Sequence, residues 1–257
     1  MSILISIFIS GYHGKTTDFA KNSSCHRTTI AHFLNSGKWD DSLLSDALKQ
    51  PVIEIIYSEA ARTGNPVFCI VDDTIASKTK PLSRALHPIE DAYFHQSHLK
   101  KKQDYGHQAV AVMLSCNGIV LNYAFVMYNK SISKIDIVQN IAKELAAELS
   151  VTHNGFDLAT VKKRKYYVCR WSIEIFFRQC KDKMALDGYQ LRSAQGIKKY
   201  WLLMSLAHFM CIAGTGEFCS FETGYHKICG IVQLEKYRYL FQCAKESDDF
   251  DSFIVVK

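Results

Sequence analysis

Residues 107–128 read HQAVAVMLSCNGIVLNYAFVMY, and this stretch decides the fold class. Two apolar runs flank Asn117-Gly118, a dipeptide that accepts positive φ at both positions and closes tight hairpins. His107 to Ser115 is expected as one strand and Ile119 to Tyr128 as its returning partner. Upstream, Val67-Phe68-Cys69-Ile70-Val71 is a continuous apolar run behind Pro66, expected as a buried strand that ends at Asp72-Asp73-Thr74. Downstream, Ser133-x-x-Asp136 resembles a capping box and opens a helix from Lys134 to Leu149, with Ile137, Ile141, Leu145 and Leu149 on its inner face. Strand, hairpin, strand and helix in that order belong to the α/β class.

Farther out the pattern is helical. Thr16 to Lys21 and Cys25 to Asn35 read as short helices, the second with Ser24 as N-cap and with Ile30, Phe33 and Leu34 on one face. A third is expected over Asp41 to Lys49. All four prolines lie between residues 51 and 88, and residues 78–106 read as a polar connection, long for an inert loop. Helices are expected again from about Tyr166 to Met184 and from about Ile197 to Ala213. The division is a helical region over 1–60, an α/β core over 61–215 and a tail over 216–257.

The 257 residues are 48% apolar and 22% charged, which excludes a disordered or collagen-like chain. Nine cysteines with no C-x-x-C point to free thiols in a reducing cytoplasm rather than to a zinc ribbon. The apolar start, MSILISIF, has no basic residue before it, which argues against a secretory signal. Tyr200 to Gly214 is shorter than the ~20 residues of a membrane span, so no membrane partner is expected. The formal net charge of +6 is concentrated. Residues 161–183 hold eight cations against two acids, and residues 78–102 hold six against two. Tyr93, Phe94, Tyr166 and Trp171 are interleaved with them, as on a nucleic-acid surface. A solubilising surface is the plain alternative.

Residues 166–183 read YYVCRWSIEIFFRQCKDK. At ~100° per residue, Tyr167, Arg170, Glu174, Arg178 and Lys181 share one stripe roughly 80° wide. A carboxylate among cations stays ionised and suits a divalent metal, while the cations suit phosphates. Ion pairs on a solvated face, Arg170 to Glu174 and Glu174 to Arg178, are the other reading. Asp72 and Asp73, after their strand, are either a second acidic part or a turn cap. His95-x2-His98 reads as plain loop, and His208 as a core histidine.

These residues resemble a known family. Tyr167-x2-Arg170-x3-Glu174-x6-Lys181 is similar to the Tyr-Arg-Glu-Lys signature of bacterial insertion-sequence DDE transposases. Asp72-x-Thr74 resembles that family's first-aspartate motif, and Tyr189 to Ser193 resembles the stretch after its signature helix. Val67 to Leu149 resembles the opening of a ribonuclease-H-like fold. The resemblance covers about residues 11–150 and 166–215. It implies a ribonuclease-H-like core preceded by a helix-turn-helix-like region. It also implies three carboxylates that hold Mg²⁺, or Mn²⁺, for cutting and joining DNA at element ends and target. Asp72 would be the first carboxylate and Glu174 the last. Arg170 and Lys181 would meet phosphates, and Tyr167 would help orient the DNA; Arg178, on the same stripe but outside the signature, is a further candidate for DNA contact. Homodimers are among the assemblies such an activity allows. The helices at 16–21 and 25–35 would present His26, Arg27, Thr28 and Thr29 to DNA; a small helical bundle fits them equally.

One part of the pattern is missing. The second aspartate should end a strand after the Lys134 helix, yet only VTHNGFDLATVKKRKY lies before the signature helix. Asp157 is the acid available there, and its flanks make a poor buried strand. Two hard cations ~4 Å apart need a cluster of anionic ligands, so metal binding is expected to be weak and catalysis impaired. A DNA-binding inhibitor of transposition, or a non-functional remnant, is the alternative.

Overall fold

The computed structural model describes residues 2–9, 12–21, 23–82, 88–97, 100–152 and 171–246. In chain order these form α1 (Ser2–Ile7), α2 (Thr16–Lys21), α3 (Arg27–Asn35), α4 (Asp41–Thr63), β1 (Phe68–Ser77), β2 (Tyr93–Ser97), β3 (Lys102–Cys116), β4 (Ile119–Tyr128), α5 (Lys134–Thr152), α6 (Trp171–Met184), α7 (Ala194–Ala213) and α8 (Phe221–Glu246). The chain is mixed α/β, as expected. β3 is the hub of an antiparallel sheet. β1 pairs with it from Phe68↔Ser115 to Ser77↔Gly106, β4 from the hairpin onward, and β2 along its first residues. Asn117 and Gly118 turn the hairpin with φ of 48° and 86°, the double positive pattern their residue types allow.

Helices cover both faces of the sheet, which is why β3 is buried from Gly106 to Cys116. Val110, Val112 and Leu114 face Val52, Ile53 and Ile56 of α4 and Ile137, Ile141 and Leu145 of α5. Ala109, Ala111 and Met113 face α6 and α7, where the small alanines leave room for Phe176 and Trp201. β4 changes allegiance along its length. Val112 lies opposite Ala124 and Met113 opposite Asn122, so Tyr123 is an extra, bulged residue. The slip reverses the faces: Leu121 and Tyr123 join the α4–α5 core, while Phe125 and Met127 face the α6–α7 core. Ile3, Ile7, Phe19, Ile30 and Leu34, from α1–α3, are buried in that second core.

Several expectations are corrected. β1 does not stop at Asp72-Asp73-Thr74 but runs to Ser77. It continues through Thr74, Ile75 and Ala76, which keep their ladder partners on β3. The connection 78–106 contains β2 and the start of β3, whose polar residues hid a hairpin. α4 runs through Pro51 to Thr63 rather than ending at Lys49. A proline inside a helix costs ~3 kcal/mol. Burying Val52, Ile53 and Ile56 just beyond it gains ~1.5–3 kcal/mol each, so the helix continues to Gly64. The N-cap of α3 is His26, not Ser24. Residues 221–246 of the expected tail form α8, which docks so closely that a Cβ on Gly224 would lie 1.6 Å from the Cys211 carbonyl oxygen.

Candidate nucleic-acid interface and carboxylate pair

Side-chain alternation along β1 separates the two aspartates. Asp72 lies opposite Ala111 and Asp73 opposite Val110, so they point to opposite faces of the sheet. Asp73 faces the α5 layer. Its Oδ2 is 2.9 Å from Lys134 Nζ, and its Oδ1 accepts a hydrogen bond from Gln108 Nε2 at 2.6 Å. Half-buried Asp72 faces the α6 layer, and its Oδ1 accepts the Asp73 backbone N–H at 2.9 Å. It stands in the middle of β1, an edge strand among the described residues, not at the strand's carboxyl end.

The sequence of α6 sorts its faces as the stripe requires. Ile173, Phe176, Phe177, Cys180 and Met184 are buried, and Phe176 packs edge-on against Phe125 and His208. Glu174 and Arg178 are exposed on the opposite flank, with Lys181 half-buried in line. Tyr167 and Arg170, and Asp157, lie outside the described residues. Ser172 and Ile175, near the start of α6, border a cavity with Asn117 and Gly118 at the β3–β4 turn. The turn after its end is tied to Lys78, just past β1, whose Nζ donates to the Asp187 and Tyr189 carbonyls at 2.6 and 2.7 Å. Because Phe68 pairs with Ser115 beside the β3–β4 turn, α6 runs along β1 in the same direction. Asp72 therefore lies on the sheet face covered by the helix that carries Glu174, Arg178 and Lys181.

Cations gather where β1 and α6 end. Lys100 Nζ lies 2.6 Å from Asp104 Oδ2 and donates to Ser77 Oγ at 2.9 Å. Burial lowers Lys181 from the usual lysine range, with Asp187 opposing and Lys100 adding to the shift. Burial likewise brings Lys78 down to about 8 against the attraction of Asp187, and its ammonium sits 3.5 Å above the Tyr189 ring centre. Lys80 lies over exposed Phe94, and Lys130 over Tyr93. Exposed Lys101 and Lys102 complete a basic, aromatic-bearing end of the sheet.

At the other candidate contact, His26 Nδ1 accepts the Thr28 N–H and caps α3. His26, Arg27, Thr28 and Thr29 are exposed, while Ile30 and Leu34 fix the helix to the core. His95 is a buried β2 residue rather than loop, and His98 lies outside the described residues. His208 is in the core as expected, bonded through Nε2 to Gln179 Oε1 at 3.1 Å, and burial lowers it to about 3. It borders the cavity of about 620 Å³ between α6, α7 and the β3–β4 turn. Sequence reasoning missed Lys78 as a tie between β1 and the turn after α6. A single lysine after a strand carries no local signal of that role.

The metal expectation can be compared with these donors. Among the described residues no group of three or more His, Cys, Asp or Glu side chains could hold a metal ion. Asp72 and Glu174 are two carboxylates and do not fit a pair of hard cations. No helix among the described residues is long and apolar enough to cross a membrane. No family model, curated protein or solved structure matches the chain.

Proposed function

We propose that this chain is a DNA-binding relative of the DDE transposases, built on an incomplete ribonuclease-H-like core and impaired in strand cutting. The observation that carries the reading is that Asp72 lies on the sheet face that α6, the helix of Glu174, Arg178 and Lys181, covers, beside a lysine-rich end of the sheet. The run β1, β3, β4, α5, with β3 between the other two strands, agrees with the opening of such a core. Phosphates of a DNA strand would lie along Arg178, Lys181 and the lysines around Phe94, released counterions supplying most of the affinity. The exposed start of α3, with His26, Arg27 and Thr28, offers a second set of contacts. Asp72 and Glu174 would hold at most one Mg²⁺ or Mn²⁺ weakly, and no cleavage step follows from two carboxylates. The eight cysteines among the described residues are free thiols, which suits a reducing cytoplasm.

A non-catalytic inhibitor that occupies element ends is the second reading, favoured by the shortage of acidic ligands. Gel-shift and nicking assays on the purified chain test both. Binding of duplex DNA at low salt, with no nicking in Mg²⁺ or Mn²⁺, is the expected result. Nicking that Asp72→Ala abolishes would establish an active transposase core instead, and failure to bind any DNA at low salt would remove both readings.

A further inference from the structure

α6, α7 and the β3–β4 turn border a cleft that the proposed DNA contacts leave unused. Its volume is about 620 Å³, within the ~300–1,000 Å³ of small-molecule sites. Its floor is buried and consists of Met113, Phe176, His208 and Phe221. Its mouth is open, between exposed Asn117 and Phe218. One polar atom in the floor is unsatisfied. His208 Nε2 lies 3.1 Å from Gln179 Oε1, an atom that can only accept, so Nε2 carries the ring's proton. Burial keeps the ring neutral. Nδ1 is therefore a lone-pair acceptor, and it has no hydrogen-bond partner among the described residues. A buried acceptor without a donor is rare, and beside a cleft it marks where a donor belongs. The rings around His208 set the shape of what can bring that donor. Phe221 stacks on its face at 4.9 Å between centroids, and Phe176 stands edge-on at 4.7 Å. Flat aromatic surfaces favour flat aromatic ligands. Among the described residues no lysine, arginine, aspartate or glutamate lines the cleft, so a charged ligand would lose its hydration without compensation.

We propose that this cleft binds a neutral, planar aromatic molecule of one or two rings that carries a single N–H or O–H donor, of the indole or phenol class. The donor lies on His208 Nδ1 and the ring lies against Phe176 and Phe221. Nδ1 is closed to water, so the rings beside it part slightly to admit the donor. The apolar body of the ligand supplies most of the affinity by leaving water, and the single hydrogen bond fixes its orientation. Glu174, Arg178 and Lys181 lie outside the lining of the cleft, so the proposal stands apart from DNA binding.

Calorimetric titration of the full chain with indole, and with N-methylindole, which has the same rings and no donor, tests the proposal. Indole is expected to bind at a single saturable site. N-methylindole should bind at least about tenfold more weakly, because it leaves the buried acceptor unpaired. His208→Phe keeps a ring between Phe176 and Phe221 but removes the acceptor, so it should bring the two affinities together. Ile175→Trp, which fills the cleft from α6, should abolish binding of both. The nitrogen-15 resonance of the unprotonated His208 nitrogen should shift with indole and stay in place with N-methylindole, a reading that needs no variant to fold. Absence of saturable indole binding up to its solubility limit overturns the proposal. So do equal affinities of the wild type for the two compounds, and so does indole binding that leaves the nitrogen resonance where it was.

Discussion

The two faces of the sheet are built from different chemistry. The α4–α5 face is almost wholly aliphatic, with Val52, Ile53, Ile56, Val110, Val112 and Leu121 at its centre. The α6–α7 face is aromatic and titratable. His107, His208, Tyr189, Tyr200 and Trp201 are buried there, and Tyr189 donates to His107 Nδ1 at 2.7 Å. Asp72 and Asp73 divide along the same line. Asp73 is ion-paired with Lys134 and hydrogen-bonded by Gln108, whereas Asp72 faces the layer that carries Glu174. Adjacent residues of identical type thus acquire different roles from strand parity alone. The first face is scaffold, and the second combines a core with groups able to meet charge.

The largest expected contrast is in the two cores. Phe176→Ala should cost ~3–5 kcal/mol and Ile53→Ala ~2–5 kcal/mol in urea unfolding. Only Phe176→Ala should also weaken DNA binding, because it loosens α6. Equal loss of binding in both variants would erase the distinction between the faces.

Acid comes next in size. Burial holds folded His208 at about 3 and lowers His107 as well. Below about pH 6.5 the unfolded chain takes up protons that the folded chain refuses. Stability should therefore fall between about pH 6.5 and pH 3, by up to ~1.4 kcal/mol per pH unit through His208, with His107 adding in the same direction. Urea midpoints at several pH values check this, and His208→Gln should flatten the slope. A slope unchanged in that variant would place the acid sensitivity elsewhere.

The aspartates give the smallest stability effect. Lys134 and Asp73 are each about a third exposed, at 35% and 36%. Asp73→Ala should thus cost only about 1 kcal/mol and leave weak Mn²⁺ binding untouched. Asp72→Asn should remove Mn²⁺ binding with little change in the unfolding midpoint. Calorimetric titration with Mn²⁺ separates them, and loss of binding in the Asp73 variant alone would reverse the assignment.

Much of this division was legible beforehand. Asn117-Gly118, the Ser133 cap and the apolar faces of α5 and α6 are local signals, and each is realised where the chain predicts it. The extent of β1 was hidden because an Asp-Asp pair reads as an ending, and only Lys134 and Gln108, distant in sequence, make Asp73 tolerable within a strand. Pro51 suggested a boundary that buried α4 side chains override. β2 is short and polar, with a period too brief to stand out. α8 carries apolar residues on two flanks, so no single stripe announces it. Glu174, Arg178 and Lys181 were placed on one flank by helical spacing, whereas Lys78 acquires its position only from the turn after α6.

The central claim is that the α6 flank and the lysine end of the sheet together meet a phosphate backbone. The salt dependence of duplex DNA binding, followed by fluorescence anisotropy, measures that most directly. Log affinity should fall linearly with log salt, at about −0.9 per phosphate contacted. Arg178→Ala with Lys181→Ala should make the slope shallower by up to about 2. Tight binding that is indifferent to salt, or a slope unchanged in the double variant, would contradict the account.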